Sequence, residues 1–270
     1  MMAHLSRRLP EPLLRTLCTL PRAPWPYCVT AFHRVAGDGE ELSYPAAAFT
    51  ELCRYWKDHY QIVTLDCLLA RLAHHDPAAG PTLAITFDDG YADNAEVAAD
   101  ILDRLGLSAT FFITTGAIDL ANRFPWDAHL AAPPRLMDWT QVHGLHAAGF
   151  GIGSHTISHP RLSRLTAAEL DCELAGSRAR LEQELGEPVS HFAYPFGGRE
   201  GAGLLARTAV AAAGYACCLS CHGGLIAAYD SPFHLNRVAV SPRWHADPRA
   251  WARAYARLRW RPPAAPPPHW

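Results

Sequence analysis

Short apolar runs alternate with amphipathic stretches along most of the chain. Tyr27–Val35 reads as a buried strand with His33 near its end. In Pro45–Tyr60, Phe49, Leu52, Cys53 and Trp56 fall at i, i+3, i+4 and i+7, which is one face of a helix. Gln61–His75 gives a short strand and then a second helix. Pro81–Phe87 is a strand. Asp93–Gly106 is a helix with Asp93 at its N-cap and Gly106 as its stop, and Ser108–Gly116 is the next strand. Such a β-α-β unit predicts parallel strands.

After a Pro-interrupted loop at 119–137, Asp138–Gly149 predicts a helix and Phe150–Pro160 a strand running into a loop. Thr166 and Glu169 form the capping box of a helix that reaches Gly186. Val189–Gly198 is a strand followed by a Gly-containing loop, Ala202–Gly214 a helix, and 215–220 and 233–240 further strands. These alternations, seven or eight of them and without an internal repeat, make the chain α/β. They favour a closed or distorted (β/α) barrel over an open sheet. Barrels of this kind carry their active sites at the C-terminal ends of their strands.

Composition narrows the picture. A chain of 270 residues, 49% hydrophobic and 19% charged, has an ordinary soluble composition and a length that suits one barrel-sized domain as well as two small ones. The net charge of −2 provides no global basic footprint for nucleic acid. The start of the chain is different: Arg7, Arg8, Arg15 and Arg22 face only Glu11. This basic leader reads either as a solvated arm or as a peripheral membrane contact. Pro10 and Pro12 break it and no clean apolar core follows, so no signal peptide is expected, and the location expected is cytoplasmic. The eight cysteines should then be mostly reduced, buried thiols. The expected organisation is a leader at 1–25, a single barrel domain at 26–258 and a Pro-rich tail at 259–270.

Chemistry gathers at the strand ends. Asp88 and Asp89 stand side by side after the strand 83–87, where like charges repel. His155 and His159 follow the strand 150–153, and as an i, i+4 pair they reach one ion if their loop makes a single helical turn. Two His and one Asp make a three-ligand site with an open position, the pattern of catalytic metals. One carboxylate is then neutralised by the cation while the other takes the proton of a water on the metal. Such a His2Asp set suits Zn²⁺, and Co²⁺, Ni²⁺, Mn²⁺ or Fe²⁺ would also fit. "CLSCH" at Cys218 to His222 matches a haem-attachment pattern, but without an export signal no haem is expected.

"TFDDGYADN", "GSHTISHP" and "FAYPFG" resemble the signatures of the polysaccharide deacetylase family (NodB homology, carbohydrate esterase family 4). The likeness extends from about Tyr27 to Val240. It implies a distorted (β/α) barrel that removes N- or O-acetyl groups from sugars with a divalent metal. It also implies Asp88 as general base, Asp89, His155 and His159 as metal ligands, and the loop of Tyr194, Pro195 and Phe196 as donor of a backbone N–H to the oxyanion. The chain departs from the family pattern at Ala193 and Phe196, where an Arg and a Tyr are usual. Support for the catalytic Asp must then come from elsewhere, with Arg237 as a candidate. Two histidines compete for the role of general acid. His33, in "AFHRV", resembles a Tyr-His-Arg-Val stretch of a subgroup with rearranged motif order, and His234 lies where the common C-terminal motif would be. Trp126, Trp139, Trp244 and Tyr91 are candidates for a sugar-stacking surface. The expected reaction is hydrolysis of N-acetyl groups on a saccharide. The alternatives are a deacylase or deformylase of another amide and a catalytically dead carbohydrate-binding relic.

Overall fold

The computed structural model describes residues 25–37, 42–119, 124–130, 132–198, 204–221, 223–241 and 247–259. Met1–Pro24, nearly the whole expected leader, and the tail beyond Arg259 lie outside the described residues, as does Trp244. Among the described residues no helix is long and apolar enough to cross a membrane.

The frame is a parallel sheet of β1 (Tyr27–Phe32), β4 (Gln61–Ile62), β5 (Thr82–Phe87), β6 (Thr110–Ile113), β7 (Gly151–Ser154), β8 (His191–Ala193), β9 (Cys217–Ser220), β10 (Leu235–Asn236) and β11 (Val238–Ala239). Its order is β10-β9-β8-β7-β6-β5-β1-β11, with β4 beside β5. A small separate pair joins β2 (Arg34–Val35) to β3 (Ser43–Tyr44). β10 and β11 are halves of one strand interrupted at Arg237. Leu235 and Asn236 pair with β9, while Val238 and Ala239 pair with β1. This segment therefore links the two edges of the sheet and makes the barrel nearly closed. The arginine at the break is fully buried.

The helices lie outside this wall. They are α1 (Ala46–His59), α2 (Leu65–Ala73), α3 (Ala99–Leu105), α4 (Thr115–Asp119), α5 (Trp139–Ala147), α6 (Ala167–Leu185), α7 (Leu204–Ala212) and α8 (Pro248–Arg259). The predicted face of α1 packs as its spacing requires: Phe49, Leu52, Cys53 and Trp56 are all buried. Phe32, Phe49, Phe87 and Phe111 meet edge-on or stacked at 4.9–5.8 Å between centroids. Each such pair adds about 0.5–1.5 kcal/mol beyond area burial. On the opposite faces of the strands, Val29, Ala84, Phe112, Ala193, Leu219 and Leu235 fill the barrel interior. Strands buried on both faces are why runs such as "TLAITF" are apolar or β-branched throughout instead of alternating with charged residues.

The capping box at Thr166 and Glu169 is formed, and Gly186 and Gly106 end their helices in the left-handed region, as predicted. Asp93 stands at the N-cap position but does not cap the helix. It has helical dihedrals and its side chain caps nothing. Its carboxylate instead takes the Nε of buried Arg34 at 2.9 Å and the Val35 N–H at 3.2 Å. The stronger charged partner outcompetes local capping, and the chain continues through a π-helical turn at Asn94–Ala98 into α3. The seven described cysteines are all free. Burial pushes the Cys218 thiol up to about 12, so it is inert near neutral pH.

Candidate active site

The sheet direction places the ends of β5 and β7, and the residue after β1, at one mouth. Ala84 and Thr86 belong to the inner face of β5, and Asp88 continues that face beyond the strand. The Asp88 N–H extends the ladder to the Phe32 carbonyl at 2.9 Å, which sets Asp88 beside the backbone of His33. The chain then turns sharply. Asp89 has φ 75° and Gly90 φ 88°, a left-handed pair that Asp tolerates and Gly favours.

Asp88 is held by Arg237 in a two-pronged ion pair, with Nη1 to Oδ1 at 2.7 Å and Nη2 to Oδ2 at 2.7 Å. Nη1 also donates to Thr86 Oγ1 at 3.0 Å. Both ends are desolvated, the side chains being 0% and 4% exposed. Burial alone would raise the Asp88 carboxyl. The charge of Arg237, with His155 and His33, holds it below the ordinary carboxylate range. Arg237 therefore reaches Asp88 from the strand break 149 residues away in sequence.

Asp89, His155 and His159 offer ligand atoms that all lie within 4.8 Å of one another. The two histidines do not reach this arrangement through a helical turn. Thr156 has φ 72° and His159 φ 56°. The loop is an irregular bend pinned from outside. The Glu173 carboxylate on α6 accepts the N–H groups of Ile157 at 2.8 Å and Ser158 at 3.0 Å. Thr156 Oγ1 accepts the His159 N–H at 3.0 Å. Gly116 and Gly176 let Ile157 sit so close that a Cβ at either would meet it at 2.7 Å. Glu173 was not singled out from the sequence. It lies on a helix face like any solvated Glu, and no local pattern marks it.

The donor chemistry fits a cation. His155 Nδ1 lies 2.8 Å from the Ala193 carbonyl, so it carries the proton and leaves Nε2 facing Asp89 Oδ1 at 3.4 Å. His159 Nε2 lies 3.3 Å from the same oxygen. That oxygen is buried and makes no well-formed hydrogen bond. A ring lone pair facing a carboxylate oxygen needs a positive charge between them, a proton or a metal ion. Burial would lower the His155 imidazole, but Asp88 and Asp89 outweigh it and push it up. Burial lowers His159. Burial would raise Asp89, yet the two imidazoles hold its carboxyl far down. A metal ligand whose other ring nitrogen donates to a backbone carbonyl is the usual way such a ring is oriented.

The two candidate acids lie on different elements. The charge of His33 acts on both Asp88 and Asp89. His234 lies in the turn Pro232–His234 ahead of the closing strand. Tyr194 contributes only backbone to the mouth. Its ring is buried and its hydroxyl donates to Cys218 Sγ at 2.9 Å. Pro195 leads into Phe196, which has φ 61° and whose ring lies 4.7 Å from that of His159. Among the proposed sugar-stacking aromatics, Tyr91 is fully buried and donates to Asp127 Oδ2 at 2.7 Å. Trp139 lies under Arg180 in the helical layer. Neither presents a ring to the cleft. Trp126 does border it, 4.8 Å from His159. Asp127 and Phe124 escaped the sequence reading, because the Pro-interrupted stretch at 119–137 that carries them has no periodicity. In "CLSCH", Cys218 belongs to the helical-side core while Cys221 neighbours Arg237, and His222 is outside the described residues.

Comparison with known proteins agrees with this geometry. The family model for polysaccharide deacetylase matches residues 75–217. Bacillus subtilis YxkH, assigned to the polysaccharide deacetylases, is 26% identical over 215 residues, covering 79% of this chain and 71% of the relative. A chitin deacetylase of Pestalotiopsis is 32% identical over 117 residues, 43% of this chain and 34% of the relative. The fold is similar to that of Streptococcus pyogenes deacetylase PplD, with TM-score 0.71, 20% identity and coverage of 86% of this chain and 98% of that one. It is also similar to IcaB from Ammonifex degensii, with TM-score 0.72, 20% identity and coverage of 84% and 97%. The chain belongs to the polysaccharide deacetylase family, whose members are carbohydrate deacetylases and thus hydrolases.

Proposed function

We propose that this chain removes N-acetyl groups from a saccharide by metal-dependent hydrolysis, with Asp89, His155 and His159 as the ligands. One observation carries the reading: three convergent donor atoms within 4.8 Å stand beside a second carboxylate that a buried arginine keeps ionised. A divalent cation held there, Zn²⁺ or one of Co²⁺, Ni²⁺, Mn²⁺ and Fe²⁺, supplies Lewis acidity to the acetamide carbonyl and acidifies a neighbouring water. Asp88 is the base that takes the water proton. Arg237 fixes both of its oxygens, so the carboxylate does not rotate away from that water. The same contact makes Asp88 a weak base, which suits an acidified water better than a free one. His33, which follows the strand paired with that of Asp88, donates a proton to the departing amine. The backbone N–H of Phe196 stabilises the oxyanion, a contribution of about 3–4 kcal/mol where such donors have been removed.

The Asp88→Asn variant tests this assignment. Turnover should fall at least about a thousandfold while the protein still binds one equivalent of metal. Asp89→Asn should lose the metal itself. Turnover retained in Asp88→Asn would remove Asp88 from the base role.

A further inference from the structure

Phe196 is costly where it stands. A bulky residue at φ 61° is strained by about 1–3 kcal/mol, and its ring is 46% exposed. Strain of this kind persists where the surroundings impose it, and here the ring is wedged between His159 at 4.7 Å and Trp126 at 5.9 Å. The exposed part of the ring is not idle. The guanidinium carbon of Arg161 lies 4.2 Å from its centroid. A guanidinium that rests on an aromatic face keeps its in-plane N–H donors free, and stacking reduces the entropy lost when they bind.

Among the described residues the charge of Arg161 is also uncompensated. Arg34, Arg135, Arg178, Arg180 and Arg237 each pair with a carboxylate. No carboxylate among the described residues pairs with Arg161. The stretch 155–165 that carries it holds Arg161 and Arg164 and no acid. Among the described residues, the carboxylates around the mouth are already engaged: Asp88 by Arg237, Asp89 by the two histidines, Asp127 by the Tyr91 hydroxyl, and Glu173 by the loop N–H groups. A fixed cation thus stands at the lip of the cleft, one aromatic ring removed from a metal-ligating histidine.

We propose that Arg161, held on Phe196, is a subsite for an anionic group on the saccharide next to the residue that loses its acetyl group. The matching chemistry is a carboxylate or a phosphate ester, both of which take the arginine fork in two-pronged fashion. The inference rests on the deacetylase reading and adds to it that the natural substrate is acidic.

The test compares heparosan tetrasaccharide, in which N-acetylglucosamine alternates with a uronic acid, with neutral chitotetraose. N-acetylglucosamine 1-phosphate against N-acetylglucosamine separates a phosphate preference from a carboxylate preference. With the metal-loaded protein at low salt, kcat/KM should favour one of the acidic probes at least tenfold, which is about 1.4 kcal/mol. The ratio should shrink as salt rises. In Arg161→Gln the acidic-to-neutral ratio should fall close to one. Arg161→Lys, which keeps the charge and loses the fork, should fall between. Equal rates on acidic and neutral probes in the wild type, or a preference unchanged in Arg161→Gln, would overturn the proposal. Binding of the same probes to Asp88→Asn protein separates the two claims. Acid-selective binding that Arg161→Gln abolishes supports the subsite even if no probe is turned over, and that combination would indict the deacetylase reading alone. Binding without selectivity for acid overturns the subsite.

Discussion

Replacing Arg237 by Met tests the centre of the structure most sharply. The side chain is fully buried, donates twice to Asp88 at 2.7 Å, and sits at the break in the strand that closes the barrel. Its removal leaves the Asp88 carboxylate in a dry site with no counter-charge. Breaking a buried pair in this way costs about 3–5 kcal/mol, a large part of the roughly 5–15 kcal/mol that holds a domain folded. At a urea m-value of about 3 kcal/mol/M, the midpoint should fall by about 1–1.7 M with little change in slope. The double variant Arg237→Met/Asp88→Leu removes both charges and should recover most of the loss, because an apolar pair of similar volume is often neutral or stabilising. The difference should also depend on pH. With Arg237 present, the Asp88 carboxyl lies below its unfolded value of about 4, so its contribution is present above that pH and is lost as the pH falls through the folded value. Without Arg237, burial raises the carboxyl, and a penalty grows as the pH rises above about 4. The gap between wild type and Arg237→Met should therefore be widest near neutrality, narrow as the pH falls toward 4, and go on shrinking below it as the wild-type carboxylate protonates. Urea titrations of metal-stripped protein at several pH values measure all of this. Two single variants that each cost under about 1 kcal/mol and add within about 0.5 kcal/mol would refute a desolvated, coupled pair.

Other substitutions probe the supports of the site. Glu173→Ala frees the N–H groups of Ile157 and Ser158 and should weaken metal affinity about 10–100-fold, as loss of an outer support does. Isothermal titration with Zn²⁺ measures this, and an unchanged affinity would show that the loop holds its shape without that cap. Gly153→Ala would drive a Cβ to 2.4 Å from the Phe112 ring inside the barrel and should cost about 1–3 kcal/mol. Phe112→Leu added to it should restore part of that loss in thermal unfolding. His159→Ala should reduce bound metal well below one equivalent by elemental analysis while the barrel stays folded by circular dichroism.

Much of this was legible in the sequence because it is local. Strand runs, the buried face of α1, the Thr166 capping box and the stops at Gly106 and Gly186 each depend on residues a few positions apart. The elements that were misread depend on distant partners. Asp93 has the right type and place for an N-cap, but Arg34, 59 residues away, takes its carboxylate. The His155–His159 spacing looks helical, but Glu173, Gly116 and Gly176 impose a bend that nothing in "SHTISHP" encodes. Arg237 was visible only as a candidate, because no pattern states that the closing strand will break there and aim the side chain at Asp88. The pairing of Tyr91 with Asp127 was hidden for the same reason.

The central claim is that the cradle of Asp89, His155 and His159 serves hydrolysis of an N-acetyl group. The most direct measurement is acetate release from N-acetylated oligosaccharides by metal-stripped protein, with Zn²⁺ or Co²⁺ titrated back. No release is expected without metal, and with metal a rise that saturates at one equivalent per chain. Release that is equally fast in the stripped protein, or no release at full metal occupancy on any acidic or neutral glycan, would contradict the claim.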